Sequence, residues 1–312
     1  MFKSIRSARS AASLALAAFA SLSTAACISG PDGVEGSSDV AKIPLEGTLF
    51  TIVLENEDAD VVEEMPYLQS LASDYASASA YYADHHPSLP NYLQMLSGTD
   101  QGVSDDEGPG AHQFDSENLT TQLDAAEIPW RAYMEGMGSP CGFENRGNYA
   151  VRHNPFVYFT SVTGDQAYCD DHVVDLKDNL ADDLDADKYS YMWLTPDTCN
   201  DIHDCAPRIG DKWLKKIIPQ LINSEGYKRG GAIFVLWDEG GADVSYAFGG
   251  KQNIAAVVIS DRLASRGFVS DTLYSHDSYL ATIEDAFGLD RLPSTVDSTP
   301  MADFFAAERA RP

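Results

Sequence analysis

A serine between two prolines is the first residue of this chain whose surroundings suggest chemistry. Residues 84–98 read DHHPSLPNYLQMLSG, so Ser88 follows a pair of histidines and precedes an amphipathic run. That run predicts a helix over 90–97, which places Ser88 at its N-terminus, as a capping residue or as a reactive hydroxyl. Backbone N–H groups and the helix dipole favour an anion such as phosphate there. One geometry therefore serves both a cap and a nucleophile that attacks a phosphoryl group.

Oxygen donors end two hydrophobic runs elsewhere in the chain. Glu55 and Asn56 end TLFTIVLEN, and Asp238 and Glu239 follow the apolar part of GAIFVLWDEGG. Carboxylate and amide oxygens are the ligands of a hard divalent cation, although each pair alone is also compatible with a solvated turn. Histidines would supply the proton that a leaving alkoxide requires. A nucleophile, a metal site and a proton donor together predict phosphoryl transfer.

Alternating strand-like and helical segments would position these side chains. Continuous apolar runs predict strands at 48–56, 128–134, 189–197, 231–241 and 254–260. Helical spacing predicts helices at 65–76, 90–97, 117–126, 211–223 and 277–287. This alternation predicts an α/β fold with a mostly parallel central sheet flanked by helices on both faces. Ligand sites in such sheets lie outside the carboxyl ends of the strands, where Glu55, Asp197 and Asp238 fall.

The N-terminus and the charge of the chain indicate where the protein works. A positively charged start and an apolar run predict a signal peptide at 1–26, a lipid-anchor cysteine with a flexible tether at 27–46 and one folded domain at 47–308. The sequence before Cys27 resembles a bacterial lipobox, although Thr24 replaces the usual leucine, and ordinary signal cleavage is the alternative. We expect an exported bacterial lipoprotein at the outer membrane or cell surface, or otherwise a periplasmic or secreted protein. The formal net charge of −27 argues against binding to nucleic acid.

The cysteines also favour export. Beyond Cys27 there are Cys141, Cys169, Cys199 and Cys205, an even number suited to an oxidising compartment. Cys199 and Cys205 would close a small loop, and Cys141 with Cys169 would form the second bridge. A zinc site is the competing use of these residues, but the spacings contain no C-x-x-C pair.

Six motifs in a fixed order connect these candidates to a known family. The motifs are ENED at 55–58, HPSLPNYLQMLSG at 86–98, RHNPFVYF at 152–159, TPDTCNDIHDC at 195–205, WDEGG at 237–241 and SHDSYLATIEDAFGL at 275–289. In this order they resemble the bacterial phosphoesterase family that includes secreted acid phosphatases and phospholipases C, within the alkaline phosphatase superfamily. The resemblance runs from about residue 48 to about residue 290 and implies an alkaline-phosphatase-like fold, with a single phosphoesterase domain at 47–308.

The resemblance implies a role for each matching residue. Ser88 would be the nucleophile and would form a phosphoseryl intermediate. The general acid would be His203 by preference and His153 otherwise. The implied substrate-binding residues are Asn91, His86 and His276. The implied ligands of one divalent metal ion are Glu55, Asn56, Asp238 and Glu239. A second cation bound by Asp197, His203 and His276 is the alternative to a single-metal site.

These expectations describe an exported, metal-dependent acid phosphatase that hydrolyses phosphomonoesters. Its partner would be a phosphorylated small molecule or a phosphoinositide-like lipid headgroup, and it would contact a membrane only through a lipid anchor at Cys27. The alternatives are a phospholipase C-type phosphodiesterase and a non-catalytic surface lipoprotein. The short chain and the sequence GGADVSYAFGG at 240–250 favour the compact phosphatase branch. Specificity would reside in the loops at 99–117 and 136–150.

Overall fold

The computed structural model describes residues 43–241 and 252–305. The predicted signal peptide, Cys27, most of the predicted tether and the segment 242–251 lie outside the described residues, so the expected domain boundaries stay predictions. The described part of the chain contains no helix that is long and apolar enough to cross a membrane.

The strands and helices follow the predicted alternation and include several elements that the pattern does not predict. The strands are β1 Leu49–Leu54, β2 Ala76–Ala78, β3 Tyr81–Ala83, β4 Trp130–Met134, β5 Val173–Asp175, β6 Tyr191–Thr195, β7 Ala232–Trp237, β8 Gln252–Asn253, β9 Ala256–Ser260, β10 Phe268–Ser270 and β11 Tyr274–Ser275. The helices are α1 Pro66–Asp74, α2 Ser88–Ser97, α3 Leu119–Ala125, α4 Thr160–Thr163, α5 Gln166–His172, α6 Leu176–Ala186, α7 Pro207–Asn223, α8 Glu225–Lys228 and α9 His276–Phe287. Short 3-10 helices lie at Ala59–Glu64, Val151–His153, Pro155–Tyr158 and Ala302–Phe304.

A mostly parallel sheet forms the centre of the domain, as the sequence predicts. Its strand order is β10-β2-β9-β7-β1-β6-β4-β5, and β1 pairs in parallel with both β6 and β7. Strand β9 differs, because it runs antiparallel to β7 and to β2. A small sheet with the order β11-β3-β8 lies apart from the large one. The candidate active site lies at the carboxyl ends of β1, β6 and β7.

Two groups of helices cover the faces of this sheet. Helix α2 packs against α9 and α3, whereas α7 packs against α1, α6 and α8. Strands β1 and β7 are buried along their whole length, as strands of a parallel sheet covered on both faces are. The α/β fold with flanking helices is therefore confirmed. The sequence pattern does not predict α6, because only Leu176 and Leu180 of this acidic helix are buried.

Both predicted disulfides are present. Cys141 pairs with Cys169, which ties the segment after β4 to α5. Cys199 pairs with Cys205, which closes the short loop that follows β6. The second bridge matters for the site, because the loop it closes contains Asp201 and His203.

Candidate active site

The ends of β1 and β7 place four oxygen-bearing side chains in adjacent positions. Leu54 and Trp237 are partners in the parallel register, so the residues that follow them emerge side by side. The backbone N–H of Asn56 donates to Asp238 Oδ1 at 3.2 Å. Asn56 has φ 45°, in the left-handed region that asparagine tolerates better than most residues. Glu55, Asp238 and Glu239 are fully buried.

The Ser88 hydroxyl lies at the centre of these oxygens. Helix α2 begins at Ser88, and its N-cap is Pro87, so the serine is the first helical residue rather than the cap. Ser88 Oγ is 3.0 Å from Glu55 Oε2, 3.3 Å from Asn56 Oδ1 and 3.4 Å from Glu239 Oε1. One hydroxyl hydrogen serves one strong acceptor at a time. The arrangement therefore joins a candidate nucleophile to oxygens of the types that bind divalent cations.

The electrostatics of the buried carboxyl groups also favour a cation. Burial, reinforced by the negative charges of Asp238 and Asp201, raises the pKa of Glu55 well above its ordinary value. Burial raises the pKa of Asp238 to about 6, and the hydrogen bond from the Asn56 N–H offsets only part of this effect. Among the described residues, Asp238 Oδ2 has no hydrogen-bond partner. Buried carboxylates need a compensating charge, and these residues fit a divalent metal ion.

Asp201 joins this cluster and is a residue that the sequence reasoning missed. Asp201, His153 and Glu55 are buried and their ligand atoms lie within 4.8 Å of one another. His153 Nδ1 is 3.2 Å from Asp201 Oδ2, and His153 Nε2 is 3.4 Å from Glu55 Oε1. The backbone N–H of Glu55 donates to the Asp201 carbonyl at 2.9 Å, which docks the disulfide-closed loop onto the end of β1. The only sequence signal for Asp201 is its place between the two cysteines of that loop.

His153 has the environment of a metal ligand. Burial lowers its pKa well below the ordinary value, which favours the neutral imidazole that binds metals. Its carbonyl accepts a hydrogen bond from the hydroxyl of Thr195, at the end of β6, at 3.2 Å. Tyr92 stacks on its ring with the centroids 5.4 Å apart, and the Tyr92 hydroxyl donates to Glu55 Oε1. Tyr92 was also missed, although it is four residues after Ser88 and so lies on the same helix face.

His203 lies at the rim of the site with a defined protonation pattern. Arg152 donates to His203 Nε2 at 3.1 Å, and His203 Nδ1 is 2.8 Å from Asp204 Oδ1. A guanidinium group carries only donors, so Nε2 is the unprotonated nitrogen and Nδ1–H donates to Asp204. The rings of His203 and His153 have centroids 5.7 Å apart. His203 therefore lies next to the cluster, with the Asp204 carboxylate behind it.

The predicted substrate-binding residues fall into two groups. His86 lies at the mouth of the site, where its side chain is 37% exposed and its Nδ1 is 2.6 Å from Glu239 Oε2. Asn91 instead braces the preceding turn, because its Nδ2 donates to the carbonyls of His85 and Pro87. His276 is buried, with Nε2 2.6 Å from the Asp238 carbonyl and Nδ1 3.1 Å from the Tyr81 hydroxyl. The predicted contacts of these residues with phosphate stay predictions.

The alternative set for a second cation, formed by Asp197, His203 and His276, stays a prediction. Among the acidic, histidine and cysteine side chains of the described residues, the group of three is Glu55, His153 and Asp201. Asp197 Oδ1 accepts the N–H groups of Cys199 and Asn200, at 3.1 Å and 2.9 Å, and so shapes the loop.

Comparison with known proteins identifies first the fold and then the family. A solved structure described as a protein in the alkaline phosphatase superfamily from Vibrio parahaemolyticus aligns with a TM-score of 0.56, over 81% of this chain and 69% of that chain, at 12% identity. This alignment and the sheet topology establish an alkaline-phosphatase-like α/β fold. The model of the Phosphoesterase family matches residues 61–290, and the chain belongs to that family.

Two curated relatives extend this comparison. The chain is 29% identical over 260 residues to a probable acid phosphatase of Kluyveromyces lactis. The alignment covers 78% of this chain and 58% of that protein. The chain is also 23% identical over 274 residues to a phosphatidylinositol-3-phosphatase of Mycobacterium tuberculosis. That alignment covers 84% of each chain. The chain thus spans less than two thirds of the fungal relative and most of the mycobacterial one.

Proposed function

We propose that this protein is a metal-dependent phosphomonoesterase of the acid phosphatase type. The observation that carries the proposal is the Ser88 hydroxyl, which lies at the N-terminus of α2 and within 3.4 Å of three ligand-type oxygens. Membership of the Phosphoesterase family and the similarity to proteins named acid phosphatase support it. A non-catalytic surface protein would have no need for buried carboxyl groups gathered around one serine.

In the proposed reaction, the Ser88 hydroxyl releases its proton to solvent and Oγ attacks phosphorus from the side opposite the leaving oxygen. The bond from phosphorus to that oxygen breaks, a phosphoserine forms, and a protonated His203 gives the leaving alkoxide its proton. Water then attacks the phosphoserine, which releases inorganic phosphate and restores the serine. The Asp204 carboxylate, 2.8 Å from His203 Nδ1, would hold the ring in place for the transfer.

The proposed ligands of the metal ion are Glu55, Asn56, Asp238 and Glu239. When bound, a divalent cation would lower the pKa of the Ser88 hydroxyl and stabilise negative charge on the phosphoryl group. Asp201 and His153 lie next to the Glu55 carboxylate. They would fix its orientation or complete the ligand set.

The substrate is proposed to be a phosphomonoester, either a small molecule or a phosphoinositide-like headgroup. The second class is favoured by the mycobacterial relative named phosphatidylinositol-3-phosphatase, which matches over 84% of each chain. A water-soluble phosphatidylinositol 3-phosphate, compared with glycerol phosphate at equal concentration, would rank the two classes by kcat/KM.

The experiment that tests the function compares p-nitrophenyl phosphate with bis-p-nitrophenyl phosphate from pH 4 to 9, with and without a chelator. We expect monoester hydrolysis that the chelator abolishes and that added divalent metal restores. A preference for the diester would instead identify a phospholipase C-type phosphodiesterase. No hydrolysis of either ester with metal supplied would contradict the proposal and favour the non-catalytic alternative.

Export and lipid anchoring at Cys27 are part of the proposal. The two disulfides support an oxidising compartment, because such bonds are rare in reducing ones. Metabolic labelling with a radioactive fatty acid tests the anchor: wild-type protein should be labelled and the Cys27→Ala variant should not. Label in neither protein would favour a periplasmic or secreted form.

A further inference from the structure

An acidic side chain from the loop at 99–117 sits at the N-terminus of the helix that carries the nucleophile. Asp106 Oδ1 accepts the backbone N–H of Leu89 at 3.0 Å, and Leu89 directly follows Ser88. Asp106 Oδ2 is 3.7 Å from Arg152 Nε. The carboxylate is therefore held by one peptide N–H at a helix N-terminus and by one guanidinium group.

These two donors are also the donors that a phosphoryl group at Ser88 would use. A phosphorus atom bonded to Ser88 Oγ brings its non-bridging oxygens next to the N–H of the following residue, at the positive end of the helix dipole. A guanidinium group presents a planar fork of donors that matches phosphate oxygens. Asp106 thus binds two donors of the kinds that a phosphoryl oxygen at Ser88 would use.

Arg152 connects this carboxylate to the candidate general acid. The same guanidinium donates to His203 Nε2 at 3.1 Å, the nitrogen that must carry a proton for acid catalysis. Its side chain is 21% exposed and that of Asp106 is 35% exposed, so neither is locked in the core. If Arg152 turned towards a bound phosphoryl group, it would leave His203 Nε2 open to protonation.

We propose that Arg152 binds the substrate phosphoryl group and that Asp106 is an internal anion which the substrate displaces. This inference rests on the proposed function, since it concerns the same site. An Asp106 that is only a helix cap is the competing explanation, and it predicts no effect of the carboxylate charge on anion binding.

The test measures the binding of inorganic phosphate by calorimetry, in a Ser88→Ala background and at one fixed metal concentration. Asp106→Asn keeps an oxygen that accepts the Leu89 N–H but removes the charge, and we expect up to about fivefold tighter binding, as for loss of a partly exposed charge pair. Arg152→Gln should weaken binding about tenfold or more, as for loss of a charged hydrogen bond. Asp187→Asn is the matched control, because Asp187 pairs with Arg229 at an exposed site outside the cluster, and it should change nothing.

The outcomes separate this inference from the proposed function. Unchanged or weaker phosphate binding by Asp106→Asn would overturn it even if the wild-type protein hydrolyses p-nitrophenyl phosphate. Unchanged binding by Arg152→Gln would do the same. If Arg152→Gln does not fold, Arg152→Lys replaces it: lysine keeps the charge and loses the fork, so binding should fall to an intermediate value. Absence of ester hydrolysis by the wild-type protein would contradict the proposed function. The phosphate-binding measurements test the roles of Arg152 and Asp106 separately, because they need no turnover.

Discussion

Removal of the metal ion should make Asp238 a destabilising residue at neutral pH. Burial raises the pKa of Asp238 from its ordinary 3.8 to about 6. Each pKa unit corresponds to ~1.4 kcal/mol, so keeping Asp238 ionised in the metal-free fold costs about 3 kcal/mol of unfolding free energy. Because the folded pKa is raised, this cost is absent below pH 4, grows as the pH rises towards 6 and is complete above that value. Asp238→Asn removes the ionisation.

The assay is urea unfolding of chelator-treated wild-type and Asp238→Asn proteins at pH 4.5 and pH 7. At pH 7 we expect the variant to be more stable by up to about 3 kcal/mol, with a much smaller difference at pH 4.5. The same variant should lose phosphatase activity when metal is supplied. This opposition between stability and activity is the signature of a carboxylate retained for a cation.

A matched substitution at another buried aspartate supplies the control. Asp175 accepts the N–H groups of Lys177 and Gly138, at 3.1 Å and 2.7 Å, and so uses both carboxylate oxygens within the fold. Asp175→Asn loses one acceptor and should be less stable by about 1 kcal/mol at either pH. An Asp238→Asn protein that is less stable than wild type at pH 7 without metal would refute the reasoning.

Three further predictions concern the reaction. Ser88→Ala should abolish turnover of p-nitrophenyl phosphate and leave the melting temperature unchanged, whereas Ser70→Ala on the exposed side of α1 should keep full activity. Turnover near the wild-type rate in Ser88→Ala would show that Ser88 is not the nucleophile. Asp201→Asn should weaken metal affinity about 10–100-fold, measured by metal titration of activity, and unaltered affinity would limit Asp201 to shaping its loop. His203→Gln should slow the hydrolysis of glycerol phosphate by about 10²–10⁴-fold and the hydrolysis of p-nitrophenyl phosphate far less, because nitrophenolate leaves without a proton. Equal rate losses on both esters would exclude His203 as the general acid.

The sequence by itself was sufficient for the features that depend on short stretches of chain. The apolar runs of β1 and β7, the polar residues directly after them, and Ser88 before an amphipathic helix are all local patterns. Parallel strands bring their carboxyl ends to one edge of a sheet, so the sequence predicts that Glu55 and Asp238 lie close together. The two disulfides followed from cysteine number and spacing in the same way.

Features that depend on chain segments far apart were decided by the tertiary structure. A buried strand has the same apolar pattern in either direction, so the antiparallel direction of β9 has no local signal. His276 is a polar residue whose hydrogen bond to the Asp238 carbonyl, 38 positions away, follows from tertiary packing. Sequence patterns give residue types but not such long-range contacts.

The same limit applies to Asp201, Arg152 and Asp106. Asp201 reaches the cluster because the Glu55 N–H binds its carbonyl across 146 positions of sequence, and the Arg152–Asp106 pair joins two loops without periodicity. Side-chain periodicity records which residues face an apolar core, whereas these three make polar contacts with residues of other segments. The sequence therefore determined the fold class, the nucleophile candidate and the candidate ligands at the strand ends. The tertiary structure determined which charged side chains from the loops complete the site, because loop positions depend on long-range packing that no local pattern encodes.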